Sequence, residues 1–387
     1  MAQAGMPEGE RREAEALEAG GQLEPALRRW EAFLLTAPES AEALEAACQL
    51  SAKLGHKVRA LELLGRLARV SCREDQGWRG LYVARQLSQA PLFLDGAVAR
   101  VAAVLEGSAE AGGQRPLPLW APLSREDLPF LVGATRIRTF EAGDAIVEEG
   151  APGTSMYAIA EGRVEVRRAG PRADQPVAVL QAGEVFGEVA LVSDAPRMAT
   201  VIAGTQVRAL ELARSEVLRV GWRHPRIIEA VEHFCRERAL HYIASAGGPW
   251  ADLAPQLRRA AAGAFRWRAV PAGTELIRQG SANDALYMLV RGRCLPVLTH
   301  GNGEESALPE MLEGDVFGEI SLLLKKPASA TVRALTPCAL LVFDQDAWLN
   351  AIEAEKSVRQ RFTALALQRL QASARVLAQQ GTPDGRV

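Results

Sequence analysis

At 387 residues, with 48% apolar and 24% charged residues, the chain is long enough for two or three domains that each bury a core without covalent staples. A formal net charge of -2 excludes an overall basic footprint for nucleic acid, and no run reaches the roughly 18 apolar residues of a membrane span. Five scattered cysteines (Cys48, Cys72, Cys235, Cys294, Cys338) without C-x-x-C spacing read as buried thiols of a reducing cytoplasm, and the acidic start MAQAGMPEGERREAEALEAG lacks the basic and apolar regions of a signal peptide.

Residues 1–108 read as helices rich in Ala, Leu, Glu and Arg, with no strand alternation. Gly21, Ala26, Leu27 and Trp30 recur as Gly55, Ala60, Leu61 and Leu64, a spacing of 34 residues that suits a helix-turn-helix repeat. With its turn glycine, small Ala26, aromatic Trp30 and closing Pro38, the first copy resembles the second half of a tetratricopeptide repeat. The second copy has Cys72 in place of the closing proline, and the third stretch keeps only an apolar helix (Trp78, Leu81, Ala84), so a plain helical bundle is the alternative reading. A further helix is expected after Asp95, with Val98, Val101, Ala102 and Leu105 on one face and Gly107 ending it.

Gly and Pro concentrate in residues 109–122, which read as a linker. Ser124 and Asp127 give a capping-box start to a short helix, after which alternating runs such as RIRTF and RVEVRR predict short strands. The punctuation Gly143, Gly150, Tyr157, Gly162 returns about 130 positions later as Gly273, Gly280, Tyr287, Gly292, and Gly183 with Phe186 returns as Gly314 with Phe317. Two copies of one antiparallel barrel explain this, over residues 123–245 and 246–380, each ending in helices. The expected fold class is therefore α+β and multidomain: an N-terminal α-helical repeat region, then two antiparallel β-barrel or jelly-roll domains flanked by helices.

The run EVFGEVALVSDAPRMATV, residues 184–201, carries the chemistry. Gly187 before a short apolar turn lets backbone amides approach an anion, and Arg197 offers a planar, permanently charged fork suited to a phosphodiester. Glu188 beside a phosphate is unfavourable unless it accepts hydrogen bonds, and a ribose 2′-hydroxyl is the natural donor. The run resembles the phosphate-binding cassette of the cyclic-nucleotide-binding domain family, with Phe186, Gly187, Glu188, Val189, Ala190, Leu191, Pro196, Arg197, Ala199 and Thr200 at the fixed positions. The resemblance implies that the amides around Val189 and Ala190 and the Arg197 side chain hold the phosphate, and that Glu188 holds the 2′-hydroxyl. Met198 stands where cyclic-GMP-selective members carry Thr or Ser, which implies cyclic AMP as the regulatory ligand.

Residues 315–332, DVFGEISLLLKKPASATV, resemble the same cassette with Gly318, Glu319, Ile320 and Ser329 in place but Ala328 where Arg197 stands. Lys325 or Lys326 is a flexible point charge that cannot reproduce the fork, so the second site reads as degenerate. His224, His233 and His241 are not spaced as a metal pair, and no catalytic motif occurs, so neither a metal nor enzyme activity is expected. Arg167-Arg168-Ala169 and Arg258-Arg259-Ala260 superficially resemble a kinase pseudosubstrate, but both lie within or at the start of a barrel, whereas the family's inhibitor sequence precedes the first. Tyr242 falls where the family often covers the purine, or simply packs. The residues after Asp346 leave no room for a helix-turn-helix, so no DNA-binding domain is expected. The expectation is a cytoplasmic adaptor in which cyclic AMP binding is relayed to a protein partner held by the N-terminal repeats; a scaffold with two vacant barrels is the alternative.

Overall fold

The computed structural model describes residues 6–74, 76–89, 91–110, 123–124, 126–168, 176–194, 196–246, 264–346 and 355–380, without the side chains at 107–110, 239, 241–246 and 377–380. Six helices come first: α1 (Glu8–Ala19), α2 (Leu23–Thr36), α3 (Ala41–Lys53), α4 (Lys57–Arg73), α5 (Gly77–Leu87) and α6 (Ala97–Glu110). In α4 the buried Ala60, Leu63, Leu64, Leu67 and Ala68 follow the spacing of one helical face, which is why a segment rich in Arg packs as a helix against α3, α5 and α6. The turn glycines of the 34-residue spacing share one geometry: Gln22 N donates to Leu17 O and His56 N to Ser51 O, both at 2.8 Å. Helix α6 passes through Gly107 instead of ending there, because a single interior glycine costs only about 1 kcal/mol. Of the expected linker, residues 109 and 110 belong to α6 and 111–122 lie outside the described residues.

Next come α7 (Leu128–Gly133) and the first barrel, β1 (Arg136–Phe140), β2 (Ala145–Val147), β3 (Ser155–Glu161), β4 (Arg163–Arg167), β5 (Ala178–Gln181), β6 (Val185–Phe186), α8 (Val189–Val192), β7 (Thr200–Ala203) and β8 (Val207–Ala213), then α9 (Arg214–Gly221) and α10 (Pro225–Ala246). Ser124 Oγ and the Asp127 carboxylate bond to each other at 2.7 Å ahead of α7. The second barrel repeats the order with β9 (Arg266–Val270), β10 (Glu275–Ile277), β11 (Ala285–Arg291), β12 (Cys294–Thr299), β13 (Glu305–Ala307), β14 (Val316–Phe317), α11 (Glu319–Leu324), β15 (Thr331–Ala334) and β16 (Cys338–Asp344), followed by α12 (Lys356–Gln380).

All pairings are antiparallel. The first barrel has sheets ordered β1-β8-β3-β6 and β2-β7-β4-β5, and the second has β9-β16-β11-β14 and β10-β15-β12-β13, the same topology twice. Even the irregularities match, with register shifts at Ile159/Glu161 and Leu289/Arg291, and at Ala145/Val147 and Glu275/Ile277. The first core gathers Phe140, Tyr157, Ile159, Phe186, Val201 and Ala209. The second gathers Tyr287, Leu289, Phe317, Val332 and Leu340, and brings the Cys294 and Cys338 thiols to 3.7 Å.

Two compact units result: Met1–Leu191 with Ala199–Val231, and Val192–Met198 with Glu232–Val387. Within the first, α5 packs on β1, β3 and β8. Trp78 Nε1 donates to Gly183 O at 3.1 Å and Arg85 Nε to Thr135 O at 3.0 Å. Buried Glu45 on α3 pairs with Arg79 of α5 at 3.0 Å and with Arg208 of β8, whose guanidinium lies 4.5 Å from the Tyr82 ring centroid. Burial pulls Arg208 down, but the charge and hydrogen bond of Glu45, with help from Glu161, hold it above its ordinary value. Strand β3 is buried on both faces for this reason: Tyr157 and Ile159 face the barrel core, and the alternate Met156, Ala158 and Ala160 lie on the face that α5 packs against. In the second unit the alternate residues of β11, Leu286, Met288 and Val290, pack with Phe265, Phe343, Val358 and Phe362, the last two from α12.

Candidate functional site

In the first barrel, β6 pairs Phe186 with Tyr157 and stacks their rings 5.1 Å apart at 17°. The Tyr157 hydroxyl donates to Glu211 Oε1 at 3.2 Å, and burial raises its pKa above the ordinary value. Gly187 follows at φ 77°, a conformation that L side chains enter at a cost of roughly 1–2 kcal/mol. That reversal swings the chain from strand into α8, where Ala190 N donates to Gly187 O at 3.2 Å and Leu191 N to Glu188 O at 3.0 Å. The Ala190 amide is thus engaged within the turn. Val189, Ala190 and Leu191 are buried, Glu188 is half-buried, and Arg214 Nε donates to Ala190 O at 2.7 Å. Thr200 starts β7, and its Oγ1 accepts from Glu149 N at 3.0 Å, so this side chain ties the turn after β2 to the end of the cassette.

Phe186, Gly187, Glu188, Val189, Ala190, Ala199 and Thr200 belong to the first unit, whereas Arg197 and Met198 lie in the segment Val192–Met198, which is compact with the second. Both Arg197 and Met198 are half-buried. Among the other residues singled out by sequence, Arg167 pairs with Glu165 at 2.7 Å, and His224 stacks on Phe130 with its Nδ1 3.3 Å from Asp127. The Ala169 end of the first basic motif and all of Arg258-Arg259-Ala260 lie outside the described residues, as do the side chains of His241 and Tyr242.

The second barrel holds its cassette entirely within one unit. Tyr287 and Phe317 stack 5.1 Å apart at 6°, Thr331 Oγ1 accepts from Gln279 N at 3.0 Å, and Gly318 stands at φ 91°. A Cβ on Gly318 would meet Ala285 O at 2.3 Å. Gly318→Ala is therefore expected to destabilise this barrel by about 2 kcal/mol; an unchanged melting temperature would contradict the left-handed turn.

Here the structure adds a residue that the sequence did not mark. Arg369 of α12 reaches the cassette, its Nη1 donating to Glu319 Oε1 at 3.1 Å and to Val316 O. Glu319 is 2% exposed, and Ala328 is buried with its backbone bonded to Gly280 and Ser281. Lys325 and Lys326, the cations nearest in sequence, are exposed and take no part in the wall of the adjoining cavity of about 310 Å³, which Glu319, Ala328, Ser329 and Arg369 line. No sequence signal distinguished Arg369 from its neighbours, because it lies 50 residues from Glu319 within a regular helix. Among the described residues no cluster fits a metal ion, and no helix is long and apolar enough to cross a membrane.

Residues 137–221 and 267–355 match the family described as Cyclic nucleotide-binding domain. The chain is 30% identical over 219 residues to a cAMP-dependent protein kinase regulatory subunit of Blastocladiella emersonii, covering 56% of this chain and 52% of that protein. It is 28% identical over 258 residues to cGMP-dependent protein kinase, isozyme 1, of Drosophila melanogaster, covering 63% of this chain and 32% of that one. The chain thus spans about half or less of the length of these relatives. Among solved structures, the regulatory domain of Toxoplasma gondii PKA with cAMP aligns at 22% identity over 66% of this chain and 94% of that one, with a TM-score of 0.34.

Proposed function

We propose that this chain, which carries two domains of the cyclic-nucleotide-binding family in tandem, is a non-catalytic regulator whose first barrel binds cyclic AMP. The observation that carries the reading is the cassette of the first domain, complete from Phe186 to Thr200 and turned at Gly187 by a left-handed residue. In this reading Arg197 supplies the bidentate counter-charge to the cyclic phosphate, assisted by the amide of Val189, and Glu188 accepts the ribose 2′-hydroxyl. Phe186, Ala190, Ala199 and Thr200 shape the turn and the strand after it. Titration of the full chain with cyclic AMP tests this, with one site per chain expected. Absence of binding would favour the vacant scaffold.

Ligand choice follows from Met198, which offers no hydrogen bond to a guanine amino group. Cyclic AMP is expected to bind about tenfold tighter than cyclic GMP, a difference of about 1.4 kcal/mol. Competition titration showing equal or tighter cyclic GMP binding would reverse the assignment.

The output we propose is a protein contact. The 34-residue turn geometry of α1–α4 supports the tetratricopeptide-like reading, and the names of the relatives point to a kinase as the class of partner. Occupancy then acts by changing partner affinity, and by linkage the partner changes cyclic AMP affinity by the same factor.

A further inference from the structure

Cys294 opens β12 and Cys338 opens β16, strands that belong to the two different sheets of the second barrel. Both side chains are buried in its core, at 0% and 1% exposure, with their sulfur atoms 3.7 Å apart. The first barrel shows what else can fill these places. There Val164 pairs with Ala203 as Cys294 pairs with Ala334, and Val207 pairs with Phe140 as Cys338 pairs with Val270. Val164 and Val207 are wholly buried, so apolar bulk satisfies the packing of this corner, and the second barrel supplies a thiol at both places instead.

The corner lies close beneath the surface and keeps room for sulfur. A Cβ on Gly292 would meet Cys338 Sγ at 2.7 Å. The turn that holds Gly292 is bonded to the turn before β16, with Arg293 N donating to Thr336 Oγ1 at 3.0 Å and Leu335 N to Arg293 O at 2.8 Å. Cys338 Sγ lies 3.1 Å from Thr336 O and 3.5 Å from Arg293 O, while Arg293, Leu335 and Pro337 are exposed. One layer of backbone thus separates the sulfurs from water.

We propose that Cys294 and Cys338 form a thiol modification site, which a peroxide closes to a disulfide that staples the two sheets of the second barrel. Bringing the sulfurs from contact to the bonded distance of about 2.05 Å takes a movement of less than about 2 Å, shared by two side chains. The hydrogen bond from the Cys294 thiol holds Cys338 below the ordinary thiol value, and the same bond, with burial, pushes Cys294 up, so Cys338 ionises first. Its thiolate attacks one peroxide oxygen; the O–O bond breaks, and the other oxygen leaves with the electron pair and takes the Cys338 proton as water. The Cys294 sulfur then attacks the resulting sulfenic acid, the S–S bond forms, the S–O bond breaks, and a second water carries off the Cys294 proton. The two sulfurs give up one electron each, and the peroxide takes both. The cysteines stand 44 positions apart with the cassette 315–332 between them, so the oxidised loop holds that cassette covalently. In a reducing compartment such a bond is transient and reports oxidant.

Hydrogen peroxide in molar excess is the probe, added to the reduced full chain. The intact mass is expected to fall by about 2 Da, with digestion recovering one linked peptide pair that contains Cys294 and Cys338. The melting transition of the second barrel, identified as the one that Gly318→Ala lowers, should rise by at least about 4 °C and return on adding dithiothreitol. Cys338→Val, which places there the residue of the first barrel, should keep the reduced melting temperature and lose both the link and the rise. Should that variant fail to fold, Cys294→Ala, which removes only the sulfur, is the second test with the same expected losses. Absence of a link at millimolar peroxide, a link to Cys48, Cys72 or Cys235, or a gain of about 32 Da at Cys338 in place of the link overturns the proposal. A Cys294–Cys338 link that leaves the transition where it was overturns the staple.

Discussion

Arg197→Ala is expected to weaken cyclic AMP binding by at least about 30-fold, or about 2 kcal/mol, because the phosphate would keep its burial and lose its planar counter-charge. Arg197→Lys should recover only part of the loss, since an ammonium keeps the charge but not the fork. Calorimetry with both variants and the wild type is the check. Wild-type affinity in Arg197→Ala would mean that cyclic AMP sits elsewhere, and the reading of Ala328 as a lost phosphate contact would fall with it.

Glu45→Ala is expected to destabilise the first unit by about 3 kcal/mol, the cost of leaving buried charges without their partner. Glu45 is 5% exposed and serves two guanidinia, Arg79 within the helical region and Arg208 on the barrel. Removing it takes from Arg79 this partner and leaves Arg208 with Glu161 alone, at 2.8 Å. Replacing the exposed Glu62, which pairs with Arg59 at 3.0 Å, should change stability by less than about 0.5 kcal/mol. Thermal melting of the two variants checks the contrast, and equal losses would show that the seam contributes nothing special.

What the sequence revealed and what it hid follow the range of the interactions involved. The doubled barrel was legible because its punctuation is local: Gly143, Gly150 and Gly162 sit at turns, and their positive φ values recur at Gly273, Gly280 and Gly292. The cassette was legible for the same reason, as Gly187 and Glu188 act within a few residues of each other. The second face of β3 was hidden, because the helix that covers it, α5, lies far upstream in the sequence. Arg369 was hidden for a related reason, since nothing in QRLQAS says which cassette residue lies across the fold. The Glu45–Arg208 pair, 163 residues apart, is the extreme case.

The cover that α5 lays over β3 separates two notions of modularity. As a unit of sequence homology, the first nucleotide-binding domain begins at residue 137. As a unit of folding it begins earlier, since Met156, Ala158 and Ala160 owe their burial to a helix outside that boundary, and Trp78 is tied to Gly183, four residues ahead of Gly187. The second domain answers the same exposed strand with α12, from its own C-terminal side. Both copies therefore extend as folding units past their homology boundaries, the first towards its N-terminal side and the second towards its C-terminal side.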